Sequence, residues 1–209
     1  MHAAGGITVV KLGGSFAGSA DLRAWLDALA RCAGRVVVVP GGGPFADAVR
    51  ATQPTMQFDD HAAHRMAVLA MEQFGCALAS LHERFRPAAS VAAIHRAMRA
   101  REVPVWQPAK MVLDASDIPE SWDVTSDSLA AWLAGKIDAP RILLVKQVAL
   151  GKEPVSLQEI VSRGVVDRAF PWFLRESGAG ACILGAAGPS ALAAAVAGAH
   201  GAGTRIALP

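Results

Sequence analysis

Apolar and polar positions along this chain alternate between a period near two and a period near 3.6. Thr8-Val9-Val10-Lys11-Leu12 is a short β-branched run that stops at glycines. From Asp21 to Cys32 the residues Leu22, Trp25, Leu26 and Leu29 recur at helical spacing, so the opening reads strand, turn, helix. Arg35-Val36-Val37-Val38-Val39 is continuously apolar and of strand length, as expected of a central parallel strand covered on both faces. Pro40-Gly41-Gly42-Gly43-Pro44 ends it, and a helix from about Phe45 to Ala51 follows. Asp59-Asp60 then caps a long helix with Met66, Leu69, Ala70 and Phe74 on one face, broken or ended near Gly75. Ser90 caps another helix through Arg101. Val103-Pro104-Val105-Trp106 reads as an edge strand, because proline cannot donate to a ladder. The stretch from Gln107 to Trp122 reads as an excursion over the surface.

The second half resumes the alternation. Thr125 to Gly135 is expected as helix, Arg141 to Val145 as strand, and Ser156 to Arg163 and Asp167 to Glu176 as helices. Ala181 to Leu184 is a strand before Gly185-Ala186-Ala187-Gly188-Pro189, a helix runs to about Ala199, and Thr204 to Leu208 is a last strand. Such alternation predicts an α/β fold, a largely parallel sheet between two helical layers. With 209 residues and no linker, repeat or low-complexity tract, residues 1–209 are expected to form a single domain.

Composition narrows the function. Apolar residues make up 53% of the chain, but many are alanine, and charges interrupt every stretch of near-spanning length, so no transmembrane helix is expected. Met1 to Gly6 has no basic leader or apolar signal core, which points to a soluble, cytoplasmic protein. A formal net charge of +2 gives no bulk attraction for nucleic acid or anionic membrane, and no basic aromatic strip adds one. Cys32, Cys76 and Cys182 are too far apart for a disulfide framework or zinc knuckle and read as small reduced core residues. Trp106, Trp122 and Trp172 read as core or lid residues.

Chemistry concentrates where a parallel sheet binds ligands, beyond the carboxyl ends of its strands. Gly13-Gly14-Ser15 and Gly41-Gly42-Gly43 both lie there, at strand-to-helix turns whose amides favour anions, and Lys11 at the strand end adds a full positive charge. The pattern is neither a Walker loop nor GxGxxG, and the glycines have the alternative role of making tight turns. Trp122-Asp123-Val124-Thr125-Ser126-Asp127-Ser128 opens a helix with two carboxylates and three hydroxyls. Thr125 or Ser126 can cap that helix, which accounts for one aspartate but not for the whole run. A carboxylate that orders lysines around a nucleotide is the expected partner of Lys11, and Asp127 is the candidate. Lys146, after the strand, and Lys152, after a turn glycine, are further cations that could touch phosphates; a solvated loop lysine is the alternative. His61 and His64 lie three apart beside Asp59 and Asp60, yet without HExxH or a third ligand they read as a polar helix end, and no metal site is assigned to the protein.

Lys11-Leu12-Gly13-Gly14-Ser15, Pro40-Gly41-Gly42-Gly43-Pro44 and Thr125-Ser126-Asp127-Ser128-Leu129-Ala130-Ala131 together resemble the amino acid kinase superfamily, which includes acetylglutamate, aspartate and uridylate kinases. The resemblance implies a three-layer αβα sandwich, magnesium-ATP as donor, a carboxylate, carbamate or phosphate as acceptor, and a homo-oligomer. It further implies that Lys11 and the glycine turns contact the transferring phosphoryl group while Asp127 organises the catalytic lysines. His64 to Met71, Val103 to Pro108, Trp122 to Ser128 and Val166 to Pro171 resemble the aminomethyl-furanmethanol phosphate kinases of methanofuran biosynthesis. That family makes a diphosphate from a furan-methyl monophosphate. Substrate contacts are then expected from His64, Trp122, Asp123, Thr125 and Ser126, with Lys146, and Lys152 behind it, as the second lysine. The chain departs from the superfamily at Lys146-Gln147-Val148-Ala149-Leu150-Gly151, where an acidic residue and Val-Asp-Gly are usual. Two rival expectations therefore stand beside the furan phosphate kinase: a kinase for another small phosphate or carboxylate such as a nucleotide, and a non-catalytic nucleotide- or anion-binding protein.

Overall fold

The computed structural model describes residues 6–151, 153–185 and 188–208. β1 (Thr8–Leu12) leads through a 3-10 turn (Gly14–Gly18) to α1 (Leu22–Arg31), and β2 (Val36–Pro40) to α2 (Gly43–Met56). α3 (Asp60–Ser80), β3 (Phe85–Ala88), α4 (Val91–Arg99), β4 (Val103–Trp106) and the single turn α5 (Ala109–Val112) complete the first half. α6 (Ser126–Lys136), β5 (Arg141–Val145), β6 (Val155–Ser156), α7 (Leu157–Ser162), α8 (Phe170–Ser177), β7 (Gly180–Leu184), α9 (Leu192–Val196) and β8 (Thr204–Ala207) follow. The sheet order is β3-β4-β2-β1-β5-β7-β8-β6, and among the described residues only the β7–β8 pairing is antiparallel. Helices cover both faces, so the architecture is the αβα sandwich.

Strand periodicity builds the site before any loop does. Val9, Val37, Val39, Ile142 and Leu144 pack on one face of the sheet with α6, while Val10, Leu12, Val36, Val38, Leu143 and Val145 pack on the other with α1. Lys11 has the parity of Val9, and Lys146, one residue beyond β5, has the parity of Ile142 and Leu144. Both cations therefore project toward α6, from neighbouring strands paired Leu12 to Val145. α6 is buried along nearly its whole length, Ser126 through Ala134, and this fixes its first turn above the strand ends.

Several elements differ from the sequence expectation for physical reasons. α2 begins at Gly43, inside the glycine turn, with Pro44 in the first helical turn, and runs to Met56 rather than from Phe45 to Ala51. α3 is capped by Asp59 as expected, through the Ala62 amide at 2.8 Å, but passes through Gly75 to Ser80. Gly75 is a packing glycine: a Cβ there would lie 2.7 Å from Gln107 Nε2. Leu69 is exposed, because the buried stripe of α3 is Ala63, His64, Val68, Met71, Phe74 and Leu78. β4 is an interior strand. The Val103 and Gln107 amides donate to Arg84 and Ala88 of the β3 side, so Pro104 turns its missing donor toward β2, where only Val38 and Val105 are paired. β3 and β6, which the sequence reading did not identify, are short and weakly patterned. The Gln107–Trp122 stretch is partly core, with Gln107, Val112 and Ile118 buried. The last helix ends at Val196, with Gly198 in a left-handed conformation, rather than near Ala199. Cys32 is buried, but Cys76 is exposed and Cys182 half-buried, so the expectation that all three are core residues fails for Cys76. Among the described residues no helix is long and apolar enough to cross a membrane.

Candidate functional site

Two lysines share one carboxylate at the carboxyl edge of the sheet. Lys11 Nζ lies 2.8 Å from Asp127 Oδ1, and Lys146 Nζ donates to Asp127 Oδ2 at 2.6 Å. The Lys11 contact is off the direction of a well-formed hydrogen bond, so it is an ion pair by proximity. Lys11 is 5% exposed and Asp127 3%, which makes the electrostatics strong in both senses. Burial alone would raise the Asp127 carboxyl, but the two ammonium groups outweigh it and hold the group below the usual aspartate range. Burial and then the neighbouring Lys11 charge lower Lys146 to about 8, against the opposing pull of Asp127. Counted over these three groups alone, two cations share one anion, an excess of positive charge suited to an anionic ligand.

The glycine turns meet each other. A Cβ on Gly14 would lie 2.2 Å from the Gly43 amide nitrogen, and one on Gly41 would lie 2.3 Å from the Gly14 nitrogen. The absent side chains thus allow the backbone of one turn to rest on the other, and Gly43 adopts φ of 56°. Gly13 and Gly41 tie the turns to the strand ends through the Val145 and Leu12 carbonyls.

Beside the triad is a cavity of about 290 Å³. Gly14, Ser15, Gly42 and Gly43 form one end of it, and one stripe each of α2 and α3 forms the walls: Ala46, Asp47 and Arg50 facing His64, Ala67, Val68 and Met71. Trp122, Val124, Thr125, Ser126 and Leu129 complete the lining. Residues expected to hold phosphate and residues expected to hold substrate therefore share one cavity. His64 is 5% exposed and its Nε2 has no hydrogen-bond partner; burial, with help from His61 and Arg65 and against Glu120, lowers its basicity and favours the neutral ring. His61 is instead exposed and in short contact with Glu120. Among the described residues no group of three or more His, Cys, Asp or Glu side chains could hold a metal ion.

Other expected residues lie elsewhere. Asp123 points to the surface, 3.7 Å from Arg168, and does not line the cavity. Lys152 lies outside the described residues. Trp106 is buried against Trp132, whereas Trp172 is half exposed and belongs to neither core nor cavity. Cys32 and Cys182 have thiols raised by burial, the reverse of an activated nucleophile.

Two groups escaped the sequence reading. Arg50 stacks over the Trp122 ring at 4.3 Å, and the Trp122 indole donates to Gln53 Oε1 at 2.7 Å, so the C-terminal half of α2 orients the aromatic wall. Helical spacing of Asp47 and Arg50 behind Gly43 was the available signal. The second is Asp167. Neither Thr125 nor Ser126 caps α6 with its side chain; Asp167 accepts the Thr125 amide at 2.9 Å, the Ser128 amide at 3.0 Å and the Thr125 hydroxyl at 2.7 Å. Ser128 Oγ also donates to it in a short contact.

A model of the amino acid kinase family matches residues 6–150. The (5-(aminomethyl)furan-3-yl)methyl phosphate kinase of Methanocaldococcus jannaschii is 24% identical over 211 residues, spanning 95% of this chain and 96% of that protein. Among solved structures, uridylate kinase from Archaeoglobus fulgidus superposes with a TM-score of 0.73 at 21% identity, covering 96% of this chain and all of that one. UMP kinase from Ureaplasma parvum gives 0.71 at 14% identity over 98% and 99% of the two chains. Aspartate kinase from Synechocystis gives 0.66 at 15% identity over 97% of this chain and 40% of that one. Fold, glycine turns and family model agree: the chain belongs to the amino acid kinase family of phosphotransferases.

Proposed function

We propose that this protein transfers the terminal phosphoryl group of ATP to the phosphate of a small aminomethyl-furanmethanol phosphate, producing the diphosphate. The observation that carries the phosphotransfer reading is the buried Lys11–Asp127–Lys146 triad beside a cavity whose floor is two glycine turns. The furan acceptor is supported by the M. jannaschii relative, which matches along nearly its whole length. Cavity size agrees with it: about 290 Å³ is at the small end for ligand sites and suits a single substituted ring. Trp122 and the unpartnered His64 Nε2 supply an aromatic surface and a polar contact, with Thr125 and Ser126 lining the same wall.

In this reading an oxygen of the acceptor phosphate attacks the terminal phosphorus of ATP. The bond from that phosphorus to the bridging oxygen breaks, ADP leaves with the electron pair, and a phosphoanhydride forms. A phosphate monoester is largely deprotonated near pH 7, so no general base is needed. The protein's task is placement and charge stabilisation. Lys11 and Lys146 offset the charge spreading over the transferring oxygens, Asp127 keeps the two cations from repelling each other out of line, and the amides around Gly14 and Gly43 steady the phosphate. The triad fits a polyphosphate better than a metal ion: Asp127 already has an ammonium on each oxygen, and among the described residues no group of three or more His, Cys, Asp or Glu side chains could hold Mg2+, so the ion would arrive on the nucleotide.

Steady-state assays of purified protein with ATP and three acceptors test this reading: the furan monophosphate, UMP, and an amino-acid carboxylate. A kcat/KM highest for the furan phosphate by about tenfold or more is expected. Preference for UMP would make the protein a nucleotide kinase. Tight ATP binding without turnover on any acceptor would make it a binding protein, as the missing carboxylates at Gln147 and Ala149 would then explain.

A further inference from the structure

We propose that Asp167 is a positioning residue: by capping α6 from outside, it reserves both oxygens of Asp127 for Lys11 and Lys146. Asp127 is the second residue of α6, after the N-cap Thr125 and Ser126. An aspartate there ordinarily turns back onto the unpaired amides of the first turn, which attract a carboxylate. In this protein the Ser128 amide of that turn and the N-cap Thr125 amide are taken. Asp167 Oδ2 accepts the Thr125 and Ser128 amides at 2.9 and 3.0 Å, and the Thr125 and Ser128 hydroxyls both donate to the same carboxylate. Asp167 is anchored in turn by the Phe170 amide at 2.9 Å, at the start of α8, which packs along α6. The distant carboxylate replaces the local one, and Asp127 is left to face the lysines.

The cost of this arrangement is visible. Burial, and then the charge of Asp127, push the Asp167 carboxyl above its ordinary range, and the Ser128 and Thr125 hydrogen bonds only partly offset them. A second buried carboxylate beside the first is electrostatically adverse, so its place is accounted for by the geometry it imposes. Among the described residues the charged groups that act on Lys146 are Lys11 and Asp127, and Asp127 is the one that raises its basicity. Loss of the Asp127 contact would leave Lys146 to burial and to Lys11, both of which lower it. Lys146 is therefore a reporter of where Asp127 points.

The test is a pH titration of Lys146 by NMR of protein labelled at the lysine side-chain carbons, run on wild type, Asp167→Asn and the double variant Thr125→Val/Ser128→Ala. The double variant loosens the cap while keeping the Asp167 charge. Both variants are expected to lower the Lys146 midpoint below that of wild type, which is about 8. Two outcomes overturn the inference: unchanged Lys146 titration in a folded Asp167→Asn protein, or a shift in Asp167→Asn alone, which would make the effect one of charge rather than position. If Asp167→Asn does not fold, the double variant decides. A kinetic arm rests on the phosphotransfer reading: kcat per folded molecule, with the folded fraction read from the same NMR spectra, should fall by about tenfold or more with the KM for ATP within about twofold. Should wild type prove inactive on every acceptor, that reading fails while the titration still judges Asp167.

Discussion

Lys11 and Lys146 depend on a single counter-ion, and at the scale of residues this sets both chemistry and pH response. Lys146 is held near 8 in the folded protein against 10.5 in the unfolded chain, so between these values the unfolded chain binds the proton that the folded one has released. Stability owed to this group therefore rises as pH rises through that window. Activity should do the opposite, since a neutral amine cannot offset phosphoryl charge. A pH profile of kcat/KM is expected to fall as pH passes about 8, and Lys146→Arg should move that fall to higher pH. Asp127→Ala should be worse than the loss of a surface charge, because it leaves two ammonium groups facing each other; about 3–5 kcal/mol of destabilisation in a urea titration is expected. Lys11 and Asp127 were legible in the sequence because a strand-end lysine and a helix-opening aspartate declare themselves locally. Asp167 was not, since its partners Thr125 and Ser128 are 42 and 39 residues away and only the folded chain brings them together.

Elements behave as the period of their apolar pattern requires, except where another element intrudes. β1, β2 and β5 were readable because continuous apolar runs end at glycine or lysine, and strand parity alone then places both lysines on one face. Gly75 misled because a glycine inside a helix normally weakens it, whereas here it makes room for Gln107. The two glycine turns could be located from sequence, but not their contact with each other. That contact makes a clear prediction. Gly14→Ala puts a methyl group 2.2 Å from a backbone nitrogen and should cost about 2 kcal/mol or more, whereas Gly18→Ala, with nothing within 4 Å, should stay within about 0.5 kcal/mol of wild type. Paired urea titrations check it. The cap of α3 is simpler: Asp59→Ala removes the acceptor for the Ala62 amide and should cost about 1 kcal/mol.

For the whole molecule, sheet order determines which parts can cooperate. β1 is flanked by β2 and β5, so the first glycine turn, the second glycine turn and Lys146 end side by side at one edge, and α6 closes over them. α2 and α3 then form the pocket walls; on α2 no local motif marks Arg50, which lines the cavity, or Gln53, which together with Arg50 holds Trp122 in place. Fold class was legible because alternation of strand and helix allows few topologies. The cavity was not, because its parts come from segments far apart in the chain, as in the Trp122 to Gln53 contact across 69 residues. The central claim is phosphoryl transfer to a furan-methyl phosphate by the cationic edge of this sheet. Phosphorus NMR of the purified protein with ATP and that acceptor tests it most directly. The account predicts paired diphosphate resonances from a new phosphoanhydride that forms as ATP is consumed, and loss of that product by about a thousandfold or more in Lys11→Ala. Absence of the diphosphate, or its formation at the same rate in Lys11→Ala, would contradict it.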